Sequence, residues 1–165
     1  MHDLKRRNAL KTWLPAMLFA GLVTLPAVAQ AREVTIDTQL SRYRGDGAYL
    51  AIYLTDSRGE YQKTLWVSGK KSKYYKHLSD WARGSKRSRA EYDGLTGASI
   101  SRGETLQISV NLDDALIDSG YQIRVDAAVE DMRDRPADII VPITTQGAGK
   151  PVNGQGHVQS LTYTF

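Results

Sequence analysis

From Glu33 the chain alternates apolar and polar positions: Val34, Ile36, Thr38 and Leu40 point one way, the signature of a half-buried strand. The polar, glycine-bearing stretch Ser41 to Gly47 reads as a loop. Ala48 to Thr55 predicts a second strand, with Leu50, Ile52 and Leu54 on one face and Tyr49, Ala51 and Tyr53 on the other. Asp56-Ser57-Arg58-Gly59 has turn composition and returns the chain into a third strand over Glu60 to Val67. Large side chains on both faces of this hairpin predict a central position between two layers. Between Lys73 and Ala82 the period changes, and Tyr74, Leu78 and Trp81 recur at helical spacing, predicting one short helix. Strands follow at Leu106 to Leu112, at Ile123 to Val129, at Asp138 to Ile143 and at Leu161 to Phe165. Thr144 to Gly156 carries four glycines and a proline and is expected to be the most mobile part of the domain. Seven or so short strands with regular turn signals and one short helix predict an all-β, immunoglobulin-like β-sandwich.

Charge and composition change this picture at the N-terminus. Lys5, Arg6, Arg7 and Lys11 precede an apolar run from Trp13 to Val28, which ends at the small-residue signal Ala29-Gln30-Ala31. This predicts a secretory signal peptide over residues 1–31, removed near Ala31, and one β-sandwich domain over residues 32–165 in the periplasm. Pro15, Thr24 and Pro26 interrupt the apolar run, which argues against a permanent membrane span. Arg6-Arg7 followed by Leu10 and Lys11 leaves twin-arginine export open beside general secretion. Without residues 1–31 the chain holds 18 Lys and Arg against 17 Asp and Glu, so the basic balance belongs to the leader and gives no ground for nucleic-acid binding. The chain has no cysteine, which excludes disulfides, thiol catalysis and thiolate metal sites.

The stretch with most chemistry in it is Asp93-Gly94-Leu95-Thr96-Gly97-Ala98-Ser99. Gly94 can take the positive φ of a sharp turn, and Gly97 and Ala98 let another molecule approach the backbone. A turn leading into a strand would account for the same residues. Ser99 has no base beside it in the sequence and is a poor nucleophile on its own, so another enzyme must activate it. Eight basic residues between Lys70 and Arg89, against the single acid Asp80, precede this stretch. They read as a positive rim for an anionic ligand or an acidic partner, or else as a solvated loop.

Asp93, Thr96, Gly97, Ala98 and Ser99 stand where the flavinylation motif of bacterial proteins modified by an FAD:protein FMN transferase has its defining residues, and the stretch resembles that motif. Its best-known bearers are extracytosolic subunits of the sodium-translocating NADH:quinone reductase and Rnf complexes. The resemblance implies FMN carried on Ser99 through a phosphoester, with Asp93 helping the transferase and Thr96, Gly97 and Ala98 shaping the recognised loop. The transferase would supply base and metal, leaving no catalytic residue and no metal site in this chain. Tyr92, Trp66 and Trp81 are the aromatic residues nearest in sequence that could stack on the flavin ring. Over most of Glu33 to Ile143 the chain also resembles a family of predicted periplasmic proteins found with FMN transferases and with membrane reductases of the PepSY type. That resemblance implies electron relay between such a reductase and an extracytosolic acceptor. The alternative is a cofactor-free periplasmic binding module that uses the basic rim and the glycine-rich Thr144 to Gly156 loop. His77 and His157 are far apart and Asp113-Asp114 alone is a poor site, so metal binding is the weaker reading.

Overall fold

The computed structural model describes residues 30–165; apart from Gln30 and Ala31, the expected signal peptide lies outside the described residues. Two sheets face each other. The first has the strand order β5-β1-β9-β8, built from β1 (Ala31–Leu40), β5 (Thr105–Asp113), β8 (Val152–Asn153) and β9 (Val158–Thr164). The second has the order β4-β3-β2-β6-β7, with β2 (Tyr49–Thr55), β3 (Tyr61–Ser68), β4 (Thr96–Gly97), β6 (Gln122–Ala128) and β7 (Arg135–Pro142). This is the two-sheet, mostly β sandwich that the alternation predicts. Val34, Ile36 and Leu40 of β1, Leu161 and Tyr163 of β9, Leu50, Ile52 and Leu54 of β2, and Ile123 and Val125 of β6 meet in one apolar core. β1 begins slightly before Glu33: Ala31 pairs with Asp113, and the Asp114 N–H donates to the Gln30 carbonyl.

β2 is the central strand of its sheet, hydrogen-bonded to β3 on one side and β6 on the other, as its two apolar faces predict. Its second face, with Tyr49, Ala51 and Tyr53, lies under a third layer. Tyr75, Leu78 and Trp81 are buried there against Ala51, Tyr53, Val67 and Ala128. The helix expected over Lys73 to Ala82 is two pieces, a 3-10 turn at Ser72–His77 and α1 (Ser79–Gly84). Leu78, at φ −85° and ψ 70°, breaks it. The break moves the buried position from Tyr74 to Tyr75, because a 3-10 turn has three residues per turn rather than 3.6.

One carboxylate pins this layer. Asp126 of β6 is fully buried and accepts from the Tyr53 hydroxyl (3.0 Å), from the Asp80 and Trp81 N–H groups at the start of α1 (2.9 and 2.8 Å) and from the Ala137 N–H of β7 (2.8 Å). A buried polar group is tolerable only when paired in this way. The glycine-rich Thr144 to Gly156 segment is hydrogen-bonded along its length. Thr144 N–H donates to the Tyr163 hydroxyl, Gly149 N–H to the Tyr163 carbonyl, and Gln155 N–H to the buried Asp138 carboxylate; β8 lies in the middle.

Candidate functional site

The motif is an edge of the second sheet. Tyr92 N–H donates to the Arg89 carbonyl and Leu95 N–H to the Tyr92 carbonyl, and Gly94 takes the positive φ of +77° expected of it. Then Thr96 and Gly97 form β4, which runs parallel to β3 with Val67 opposite Thr96 and Ser68 opposite Gly97. The Val67 N–H donates to the Leu95 carbonyl and the Gly69 N–H to the Gly97 carbonyl, both at 2.9 Å. On its far side the motif is fastened by a bridge between Ala48 and Ile100. Ala98 and Ser99 are therefore exposed residues held between two anchored points.

They open on a cleft of about 660 Å³ at this end of the sheet. Its walls come from the strand ends that the topology gathers there. Lys70 and Lys71 follow β3, Asp46 and Gly47 precede β2, and Val129 to Met132 follow β6, with Tyr49 between them and Tyr74 and His77 overhanging from the 3-10 turn. The parallel register ends at Gly97, and beyond it Lys70 and Ser99 both line the cleft. The Ser99 hydroxyl lies against Gly47. The Tyr49 and Tyr74 rings meet edge to face, with centroids 5.4 Å apart. His77 Nδ1 is 3.0 Å from an Asp134 carboxylate oxygen, joining the overhanging turn to the β6–β7 connection. That contact uses Nδ1 and leaves Nε2 free; among the described residues no hydrogen bond joins His77 to the Ser99 hydroxyl, although both line the cleft.

The other residues singled out from the sequence lie elsewhere. Asp93 is exposed on the turn and Thr96 is exposed on β4. Gly97 packs over Trp66, and Trp81 is fully buried. Tyr92 belongs to the third layer, edge-on to Tyr75 at 5.3 Å and to Trp81 at 5.9 Å, and is not among the residues lining the cleft. The aromatic side chains that do line it are Tyr49 and Tyr74. The outward face of β2 already presented Tyr49 in the sequence, but nothing there tied that face to Ser99. The basic rim and the glycine-rich segment fall on different sheets, the first on the layer covering β3-β2-β6 and the second around β8. Among the described residues no three His, Asp or Glu side chains are grouped as a metal ion would require, and no helix is long and apolar enough to cross a membrane.

Fold and site together define a β-sandwich domain with a charged, ligand-sized cleft at one sheet end. The chain belongs to the family described as predicted periplasmic protein (DUF2271), whose model matches residues 31–160. By that membership the protein is periplasmic, the compartment its sequence predicts. No curated protein and no solved structure matches it.

Proposed function

We propose that the protein is an exported flavin carrier in which an FAD:protein FMN transferase joins FMN to Ser99 through a phosphoester. The holoprotein passes electrons between a membrane-bound PepSY-type reductase and an extracytosolic acceptor. The observation that carries this reading is the placement of Ser99, the last hydroxyl of the motif, exposed on an ordered backbone at the mouth of the cleft. The cleft's size falls within the roughly 300–1,000 Å³ of small-molecule sites.

The residues present suit such a group. Lys70 and Lys71 bring positive charge into the cleft on which the attachment hydroxyl opens, and Tyr49 and Tyr74 offer aromatic surface to a planar ring. The acids Asp46, Glu130 and Asp131 line the same cleft, so a phosphate fixed at Ser99 is best placed toward Lys70. In the transfer, the Ser99 Oγ–P bond forms as the bond from that phosphorus to AMP breaks, and the hydroxyl proton passes to the transferase's base. A tether keeps the flavin at high local concentration in a compartment where it would otherwise diffuse away. The flavin supplies the one- and two-electron chemistry; this chain supplies attachment, orientation and surroundings.

Coexpression with a flavin transferase tests the reading. Mass spectrometry should find the chain heavier by FMN less one water, yellow and fluorescent in a denaturing gel. Ser99→Ala should abolish the adduct and Ser99→Thr should keep it. A chain that stays unmodified, or an adduct that survives Ser99→Ala, would overturn it.

A further inference from the structure

The sheet end that carries Ser99 is divided by charge. On the β3 side stand Lys70 and Lys71, with Lys73 and Lys76 on the turn above them, all exposed. On the β6 side stand Glu130 and Asp131, with Asp134 beyond and Asp46 on the β1–β2 connection, which touches Val129 and Met132 through Gly45; Arg44 and Arg133 are exposed beside these acids but do not line the cleft. The Tyr49 edge of β2 separates the two groups.

Neighbouring surface charges of opposite sign usually neutralise one another. Here a single side-chain contact, between His77 Nδ1 and Asp134, joins the two sides among the described residues. The spacing explains why. β3 and β6 flank β2, so they lie two strand separations apart, roughly 10 Å. That is about the Debye length of ~8 Å at physiological salt, so each wall keeps its own sign toward solvent. Arg83, which follows Trp81 in α1, is paired with Asp80, and Gly84 packs on Tyr61 at the opposite end of β3. The cations of that end do not blur the division at the mouth.

We propose that the cleft mouth is the docking face for a protein partner with the inverse pattern: an acidic lobe over Lys70, Lys71, Lys73 and Lys76, and a basic lobe over Asp46, Glu130 and Asp131. A lipid surface fits less well, because uniformly anionic headgroups that meet the basic wall are repelled by the acidic wall within the same footprint. Two lobes of opposite sign also fix the orientation of approach, which a single basic patch does not. Docking here would bring a partner's redox centre to the Ser99 cofactor, and in that respect rests on the proposed function; the charge division requires no cofactor.

The test uses the unmodified chain and its Ser99→Ala variant, with small paramagnetic complexes as probes. In two-dimensional amide NMR spectra, anionic hexacyanochromate(III) should broaden the signals of Lys70 to Lys76. Cationic hexaamminechromium(III) should broaden those of Asp46 and Glu130 to Asp134. Both should leave Asn153 and Ser160, paired with each other on the other sheet, sharp. At about 1 M salt, where the Debye length falls to about 3 Å, both effects should vanish. Lys70→Glu with Lys71→Glu should abolish the anion site alone, and Glu130→Lys should weaken the cation site alone. Photo-crosslinkers placed at Lys76 and at Glu130 in the periplasm should trap the same protein, and phosphatidylglycerol vesicles at physiological salt should not retain the chain. Uniform broadening, vesicle binding, or crosslinks from only one wall would overturn the proposal. Because the maps are made without flavin, their failure and the failure of flavin attachment are separate results.

Discussion

A Cβ on Gly97 would stand 2.6 Å from Cζ2 of Trp66, so the motif's second glycine is a packing partner of the β3 tryptophan. From the sequence, Gly97 is expected to leave room for a visiting molecule; the structure gives that room to the indole, whose Nε1–H donates to the Ser68 hydroxyl. Gly97→Ala must push the ring or the edge strand aside. Overpacking of this kind costs about 1–3 kcal/mol, which urea denaturation should register in the unmodified chain. An unchanged midpoint would mean that Trp66 moves freely.

Asp126→Ala strips the acceptor from the Tyr53 hydroxyl and from three backbone N–H groups. Each buried donor left unpaired costs about 1–3 kcal/mol, so the loss should exceed about 3 kcal/mol. Asp126→Asn, which keeps one acceptor oxygen, should lose less. Denaturant midpoints rank the two, and near-ultraviolet circular dichroism should report the release of Trp81.

Two aspartates should give opposite pH dependences. Burial pushes the Asp126 carboxyl above its ordinary value of 3.8, against the pull of its N–H and hydroxyl donors. Its contribution to stability is fully present below 3.8 and is lost as pH rises through the higher folded value. The hydrogen bond from the Arg32 guanidinium holds Asp114 below 3.8, so its contribution is present above that value and is lost as pH falls through the lower folded one. Compared across the acid range, wild type and Asp114→Asn should differ in urea midpoint above pH 3.8 and converge below it.

In flavin-loaded protein, Tyr74→Leu should brighten flavin emission, because an electron-rich ring beside the isoalloxazine quenches it. Tyr92→Leu should leave emission unchanged and lower stability instead. Its edge-to-face contacts with Tyr75 and Trp81 are each worth about 0.5–1.5 kcal/mol beyond the area they bury. Steady-state fluorescence and thermal denaturation of the two variants separate these roles.

Much of the sandwich is legible in the sequence because a half-buried strand must alternate. Val34 to Leu40, Leu106 to Leu112 and Ile123 to Ala127 carry that mark, whereas Leu50 to Leu54 is apolar on both faces, as a strand covered on both sides is. β4 and β8 are two residues each, too short for any period to show. The helix was legible as a place but not as a shape, since Leu78 suits either a continuous helix or the junction of two turns. Nor was the cleft: Asp46, Lys70, Ser99 and Glu130 are distant along the chain, and only the strand order brings them to one sheet end. Tyr92 is the sequence neighbour of the motif, whereas Tyr49 is its neighbour in space. Asp126 shares the alternate face of β6 with Gln122, Arg124 and Ala128, so alternation alone reads it as a solvent-facing charge and gives no sign of its burial.

The overhang of the cleft inherits its rigidity from the sheet beneath, because α1 is locked onto β6 by one deeply placed carboxylate. A molecule arriving at the mouth meets a face already in its final shape and loses little freedom in ordering it. Encounter should therefore run in one step without lag, its speed set by ionic strength rather than by the opening of a loop.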